Sequence, residues 1–484
     1  MYQFSGKLKT LAIAFMILGA MGIGYGFYAA PKTVEEATAM VANAHDTHGD
    51  AHAVSADSHD EATTHDAHET SVADSHEVVA HDAHEEAAHD THAPVVHEAA
   101  HDDAHAAHVF HQMQNRPWAA LYVALFFFLG ISLLVLAFYA IQRVAQAGWS
   151  IVLFRVMEAI TANLHYVSVF MLLFLLATFL HKNHLFTWMA AGVVDPTAAN
   201  FDPIIFGKKM WLNTPGWLLR SIVYLAGWNA YRFFIRRSSI AEDKDASLHK
   251  KNYNVSVGFL AFFMITESMM SWDWIMGLDP HWFSTLFGWY ILATFMVCAV
   301  TVIAFVTIYL RSKGHLPMVN DSHIHDLTKY MFGFSVFWTY LWFAQFMLIW
   351  YADMPEETTY FLMRFNEYKL PFLGMVAMNF FFPILLLINS DFKSIPWFIF
   401  IGGIVILAGH YIDVFVMIMP ATVGANWGFG IPEISAVLFF LGVFIYATFS
   451  AFAKADPIAT GNPYLRESEE YHYYNIEHRG EENH

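Results

Sequence analysis

Ten apolar runs, most of them twenty residues or longer, leave this chain few ways to fold. They cover Leu11–Ala30 and then, approximately, residues 117–142, 150–180, 214–236, 254–279, 281–310, 327–351, 365–388, 396–419 and 432–453. A run of roughly 18 or more apolar residues with few charges can cross the hydrocarbon core of a bilayer as a helix. Only 14% of the residues are charged, whereas a soluble domain carries about 25%. The pattern predicts an all-α membrane protein with about ten transmembrane helices.

The first run follows Lys7 and Lys9. It fits a signal peptide cleaved after Ala29-Ala30 or an anchoring helix. Its length exceeds the usual apolar core of a signal peptide, about 7–15 residues, which favours a retained helix over residues 1–30. Residues 31–116 are a different material. They are rich in Ala, His, Asp, Glu and Thr, and the tetrapeptide HDAH recurs at His65–His68 and His81–His84. No aromatic residue occurs between Pro31 and Phe110. Such a segment buries too little apolar surface to offset ordering entropy, so disorder is expected. Sixteen of the 28 histidines lie here. Imidazole and carboxylate suit Zn²⁺, Cu²⁺ or Ni²⁺, but a solvated, pH-sensitive loop is the preferred reading, and no metal site is assigned.

This segment also explains the formal net charge of −18. Up to Asn115 it holds 18 acidic residues against one lysine, Lys32, and so carries 17 of the net negative charges. The remainder is nearly neutral and has no nucleic-acid footprint. The single cysteine, Cys298, lies in an apolar run and is expected to be an inert core residue. One cysteine excludes disulfides within the chain, Cys-ligated iron–sulfur clusters and CxxCH haem attachment.

Lys and Arg in short loops set orientation. Lys7 and Lys9, Arg143, Arg232 through Lys251, Arg311 and Lys313, Lys393 and Lys454 fall on one side if ten helices alternate. Both termini, including the tail 454–484, are then cytoplasmic, and the His-rich loop is exported. Thr214-Pro215 and Asp279-Pro280 read as N-caps followed by a first-turn proline, and Ile431-Pro432-Glu433 as a helix start. Trp188, Trp211, Trp217, Trp282, Trp289, Trp397 and Trp427 read mostly as an interfacial belt.

Ionisable residues inside the membrane are functional candidates by default. The chain offers Glu158 and His165 in one block, Glu267 and Asp273 in another, and His410 with Asp413 in a third. Arg220, Gln345 and Asn379 accompany them. Strung at different depths, these carboxylates and imidazoles suit a proton path. The alternative is that they pair with arginines or hydroxyls and fix helix packing. Only His165 and His410 could offer mid-membrane haem ligands, and no helix carries two histidines at di-haem spacing, so no haem is expected here.

The most specific signal is the run Ser271–Gly288, SWDWIMGLDPHWFSTLFG. With Phe206–Asn213, FGKKMWLN, and Gly22–Lys32, GIGYGFYAAPK, it resembles the polysulfide-reductase-like (NrfD/PsrC-like) membrane subunits of bacterial alternative complex III. Within them it is most like the ActF type, quinone-binding subunit 2. The resemblance covers about Pro117 to Lys454 and the first helix, without the His-rich insert. It implies two four-helix bundles with flanking helices, and a place in a quinol:cytochrome c oxidoreductase of the inner membrane. Haem c and iron–sulfur clusters then reside in partner subunits, and no cofactor is expected on this chain. The implied partners are a sister membrane subunit, a multihaem cytochrome c, an iron–sulfur subunit and lipids. Asp273 corresponds to the family's Trp-Asp-Trp carboxylate in a proposed proton path. The sister subunit is the expected quinol holder; within this chain His165 is the residue to test for one. Read without the resemblance, ten helices with buried carboxylates also describe an ion or solute carrier. Carriers, however, often break helices at matching places in two halves, and here Pro371 and Pro383 share one helix. A purely structural scaffold is the third reading.

Overall fold

The computed structural model describes residues 2–40 and 95–473, the side chains of 95–105 and of His108 excepted. Among the described residues there is no strand. Ten long helices follow the apolar runs: α1 Gly6–Ala29, α2 Val95–Val144, α3 Gly148–Phe179, α4 Thr214–Glu242, α5 Leu248–Trp274, α6 Phe287–Ser312, α7 Asp321–Ala352, α8 Lys369–Leu387, α9 Pro396–Val423 and α10 Ile431–Phe452. Nine of these described helices are long and apolar enough to cross a membrane. The exception is α4, whose 29 residues have the length but carry Arg220, Arg232, Arg236 and Arg237. The chain is an all-α membrane protein.

Two units divide the chain, one of Met1–Ala30 with Gln114–His484 and one of Pro31–Met113. In the second, residues 34–40 are helical and a helix begins at Val95. The disorder expected of the His-rich loop lies, for residues 41–94, outside the described residues, as does the tail beyond Tyr473. Residues 95–116 are helical. No Gly or Pro interrupts the stretch after Pro94, so helix runs on through Pro117 to Val144.

In the membrane unit, α2 is the central helix: 94% of its most apolar window is buried, against 17% for α1. Helix α4 packs on α5 and on the second half of α3, while α6, α7, α8 and α9 pack among themselves. The two groups meet where α5 and α3 touch α6. Helix α10 lies on α3, and α1 runs along α10.

Two predicted caps move. The cap of α4 is Asn213, whose Oδ1 accepts from the Gly216 N–H at 2.8 Å; Thr214 is already helical. Asp279-Pro280 starts no helix, because α6 begins only at Phe287. At α10 the Gly430 N–H donates to Glu433 Oε2 at 2.8 Å, and Arg116 holds the other oxygen at 2.9 Å. The described part of the tail straps α3 to α7. Ser468 Oγ donates to the Trp149 carbonyl at 2.7 Å, and Asn320 Nδ2 to the Tyr471 carbonyl at 2.7 Å.

Close approach of α1 to α10 depends on glycine. A Cβ on Gly22 would lie 1.8 Å from Ser435 Oγ, and one on Gly19 2.5 Å from the Phe439 backbone nitrogen. From the other side, a Cβ on Gly442 would lie 2.6 Å from the Ala12 carbonyl. Small residues spaced this way let helix backbones meet in a bilayer, where no hydrophobic force drives them together. Gly22→Val is expected to cost about 1–3 kcal/mol through overpacking and to lower the melting temperature in detergent. Gly24, with nothing within 4 Å, tolerates the same change. Equal melting of the two variants would refute this packing.

Candidate functional site: paired and unpaired charges between the helices

The two motifs that stand 58 residues apart in sequence, from Asn213 to Ser271, converge at one end of the membrane unit. Asp273, on the last turn of α5, is buried. Arg220 of α4 grips it with Nε at 2.9 Å and Nη2 at 2.7 Å, and Tyr224 Oη adds a bond at 2.8 Å. The same guanidinium lies 4.2 Å from the Trp211 ring centre and donates to the Trp211 carbonyl at 2.9 Å. Lys208 Nζ donates to the Pro280 carbonyl at 2.6 Å, and burial lowers its pKa. Asp202 accepts from the Ile204 and Ile205 N–H groups and meets His281 Nε2 at 2.6 Å. The backbone donors, Ile205 foremost, hold its carboxyl below the usual range. Between the motifs lies an apolar cleft of about 270 Å³ bordered by Trp211, Trp272, Trp282 and Phe283.

Asp273 is therefore a buried, ion-paired residue. The aromatic belt is corrected. Trp188, Trp217 and Trp282 are buried in protein, and Trp217 Nε1 donates to the Asp273 carbonyl at 2.9 Å. Trp289 and Trp397 remain exposed.

At the opposite end Glu158 anchors a network. It accepts from Arg155 Nη1 at 2.8 Å, from Tyr139 Oη at 2.8 Å and, more closely still, from Arg236. Arg143 binds Glu242 at 3.0 Å, and Arg155 also binds Asp243. Three helices, α2, α3 and α4, are thus tied by alternating charges.

His165 sits one step inward, past a turn at Thr161–Ala162 where the regular α-helical pattern lapses. Its Nδ1 lies 2.5 Å from Asn229 Oδ1 and its Nε2 2.7 Å from Arg232 Nη1. Arginine only donates, so Nε2 accepts, Nδ1 carries the proton and the ring is neutral. Both nitrogens are occupied by protein groups.

Glu267 contrasts with the other carboxylates. It is buried on α5, and its Oε1 has no hydrogen-bond partner among the described residues. Asp413 takes an intermediate course. It is bound by Tyr290 Oη, by Thr294 Oγ1 at 2.9 Å and by Trp338 Nε1 at 3.0 Å. Its neighbour His410 has Nδ1 3.7 Å away and a buried Nε2 without a partner among the described residues. Asn379 meets His410 at 3.3 Å from a π-helical turn, Ala377–Phe381, that interrupts α8. Such turns often mark functional sites. Gly409 makes room for it, since a Cβ there would lie 2.1 Å from Asn379 Oδ1.

Among the described residues no direct hydrogen bond joins Glu158, His165, Glu267, Asp273 and the His410–Asp413 pair to one another across helices. They form separate stations. Reading the sequence missed Arg364, buried with its guanidinium 3.3 Å from the Tyr360 ring centre and its Nε without a partner among the described residues. With Asp279 and Trp282 it lines a cavity of about 330 Å³; an arginine in an apolar stretch was its only signal. Among the described residues no group of three or more His, Cys, Asp or Glu could hold a metal.

Removing one partner of a buried ion pair leaves the other uncompensated, at roughly 3–5 kcal/mol. Arg220→Met is therefore expected to lower the melting temperature sharply, and the double variant Arg220→Met/Asp273→Leu to recover most of the loss. A double variant no more stable than Arg220→Met would show that the pair is not the stabilising unit. Neither a protein-family model nor a curated protein matches the chain.

Proposed function

We propose that this membrane protein is a subunit of a quinol:electron-acceptor (cytochrome c) oxidoreductase of the alternative complex III type, in a bacterial inner membrane. In this reading it anchors the complex and conducts protons coupled to quinol oxidation. Both termini are cytoplasmic and the His-rich loop is periplasmic. Haem c and iron–sulfur subunits, with a sister membrane subunit, carry the electrons and hold quinol.

The resemblance of the Ser271–Gly288 and Phe206–Asn213 runs supports the assignment to that complex. One observation carries the proton role: Glu267 lies buried in a spanning helix with no counter-ion among the described residues. A carboxyl with no cation beside it is held most cheaply as the neutral acid, so it can accept, hold and release a proton as partners come within reach. His410, whose Nδ1 lies near Asp413 and whose Nε2 has no partner among the described residues, has the same capacity. Glu158 and Asp273 are held as fixed anions by arginines, and they serve as electrostatic walls rather than carriers.

That saturation of Glu158 and Asp273 is also what favours a scaffold role. The π-helical turn in α8 is the observation that favours an ion or solute carrier.

The complex isolated through this chain is expected to contain c-type haem and an iron–sulfur protein. Reconstituted in liposomes, Glu267→Gln should reduce proton uptake at least tenfold while leaving assembly intact. Unchanged quinol turnover together with unchanged proton uptake would remove Glu267 from the path. Purification as a lone chain that moves a solute would replace the whole reading by the carrier.

A further inference from the structure

A cleft of about 730 Å³ opens between α3, α4 and α10 at the Glu158 end. Its lining is largely apolar, with Val169, Phe170 and Ala447. Its rim is basic, with Arg232, Arg236 and Lys454.

The charges around the rim do not balance. Glu158, Glu242 and Asp243 are the acids of the neighbouring network, and they are taken up by Arg143, Arg155 and Arg236. Arg232 and Lys454 are left over. The named partner of Arg232 is the neutral His165, and its Nε is buried with no partner among the described residues. A guanidinium placed beside a membrane cleft and lacking an anion is a half-made site, because its planar fork matches phosphate oxygens.

The shape identifies the missing anion. A phosphate between Arg232 and Lys454 would leave the apolar lining of Val169, Phe170 and Ala447 free for an acyl chain. Basic pockets between transmembrane helices take anionic lipid headgroups. The flanking face of α3 is exposed and apolar, with Val169, Leu173 and Tyr166 turned outward, so a lipid can enter sideways from the bilayer. A free phosphate would satisfy the rim and leave the apolar lining uncovered.

We propose that this cleft is a specific site for an anionic glycerophospholipid of the adjoining leaflet. Its phosphodiester lies between Arg232 and Lys454, and an acyl chain lies along Val169, Phe170 and Ala447. The bound headgroup completes the charge pairing of α4 and seals α3 to α10. The inference requires a bilayer around the helices and is independent of the redox reading.

The test is native mass spectrometry of the full chain, delipidated and titrated with phosphatidylglycerol or with phosphatidylcholine of the same acyl chains. One phosphatidylglycerol should bind at least tenfold more tightly than phosphatidylcholine. Arg232→Gln and Lys454→Gln should each reduce that preference several-fold. Arg237→Gln, at an exposed arginine on the same helix away from the cleft, should preserve it. If Arg232→Gln does not fold, Lys454→Gln alone carries the test. Equal binding of the two lipids, retained preference in the Lys454 variant, or displacement of the lipid by millimolar inorganic phosphate would each overturn the proposal. So would occupation of the cleft by a quinone analogue in preference to phosphatidylglycerol.

Discussion

A lone charge between membrane helices costs several kcal/mol, more than a single packing contact contributes, and the arrangement of this protein follows from meeting that constraint. Helix α4 shows it most clearly. Four arginines make it too polar to qualify as a span on composition, yet it lies against α3 and α5. Arg220 reaches Asp273 on α5, Arg236 reaches Glu158 on α3, and Glu242 at its end receives Arg143 from α2. Each bond crosses to a different helix. The ion pairs therefore fix both the rotation of α4 and its depth, which apolar packing alone leaves loose.

The groups left outside these pairs acquire their meaning from the same constraint. Glu267 and His410 are buried, and each keeps a polar atom unpaired among the described residues. A cation at the edge, Arg232, likewise lacks an anion. Such gaps are where the proposed mobile charges would enter: a proton at Glu267 or His410, and a lipid phosphate at Arg232. At Asp273 the polar groups are saturated, and the Arg220 clamp there also stacks on Trp211, which with Trp272 and Trp282 frames the aromatic cleft.

Much of this was legible without coordinates. The fold class and the ten helices follow from the length and spacing of apolar runs, because hydrocarbon thickness admits little else. The candidate residues followed from rarity, since every carboxylate within an apolar run had to be explained. Helix ends were less legible. Asp279-Pro280 has the composition of a cap, but the turn after α5 runs on to Phe287, with Lys208 bonded to its Pro280 carbonyl. The start of α2 was placed too late because polar Ala- and His-rich sequence supports helix as well as disorder.

What the sequence determined is the solvent: a chain with these runs belongs in a bilayer as helices, and its ionisable residues there are few and identifiable. What only the tertiary structure decided is which of them are free. Asp273 and Glu267 look alike along α5, six residues apart. Arg220 approaches one from α4, while the other finds no cation among the described residues. That difference rests on contacts between residues some fifty positions apart, and no local pattern encodes them.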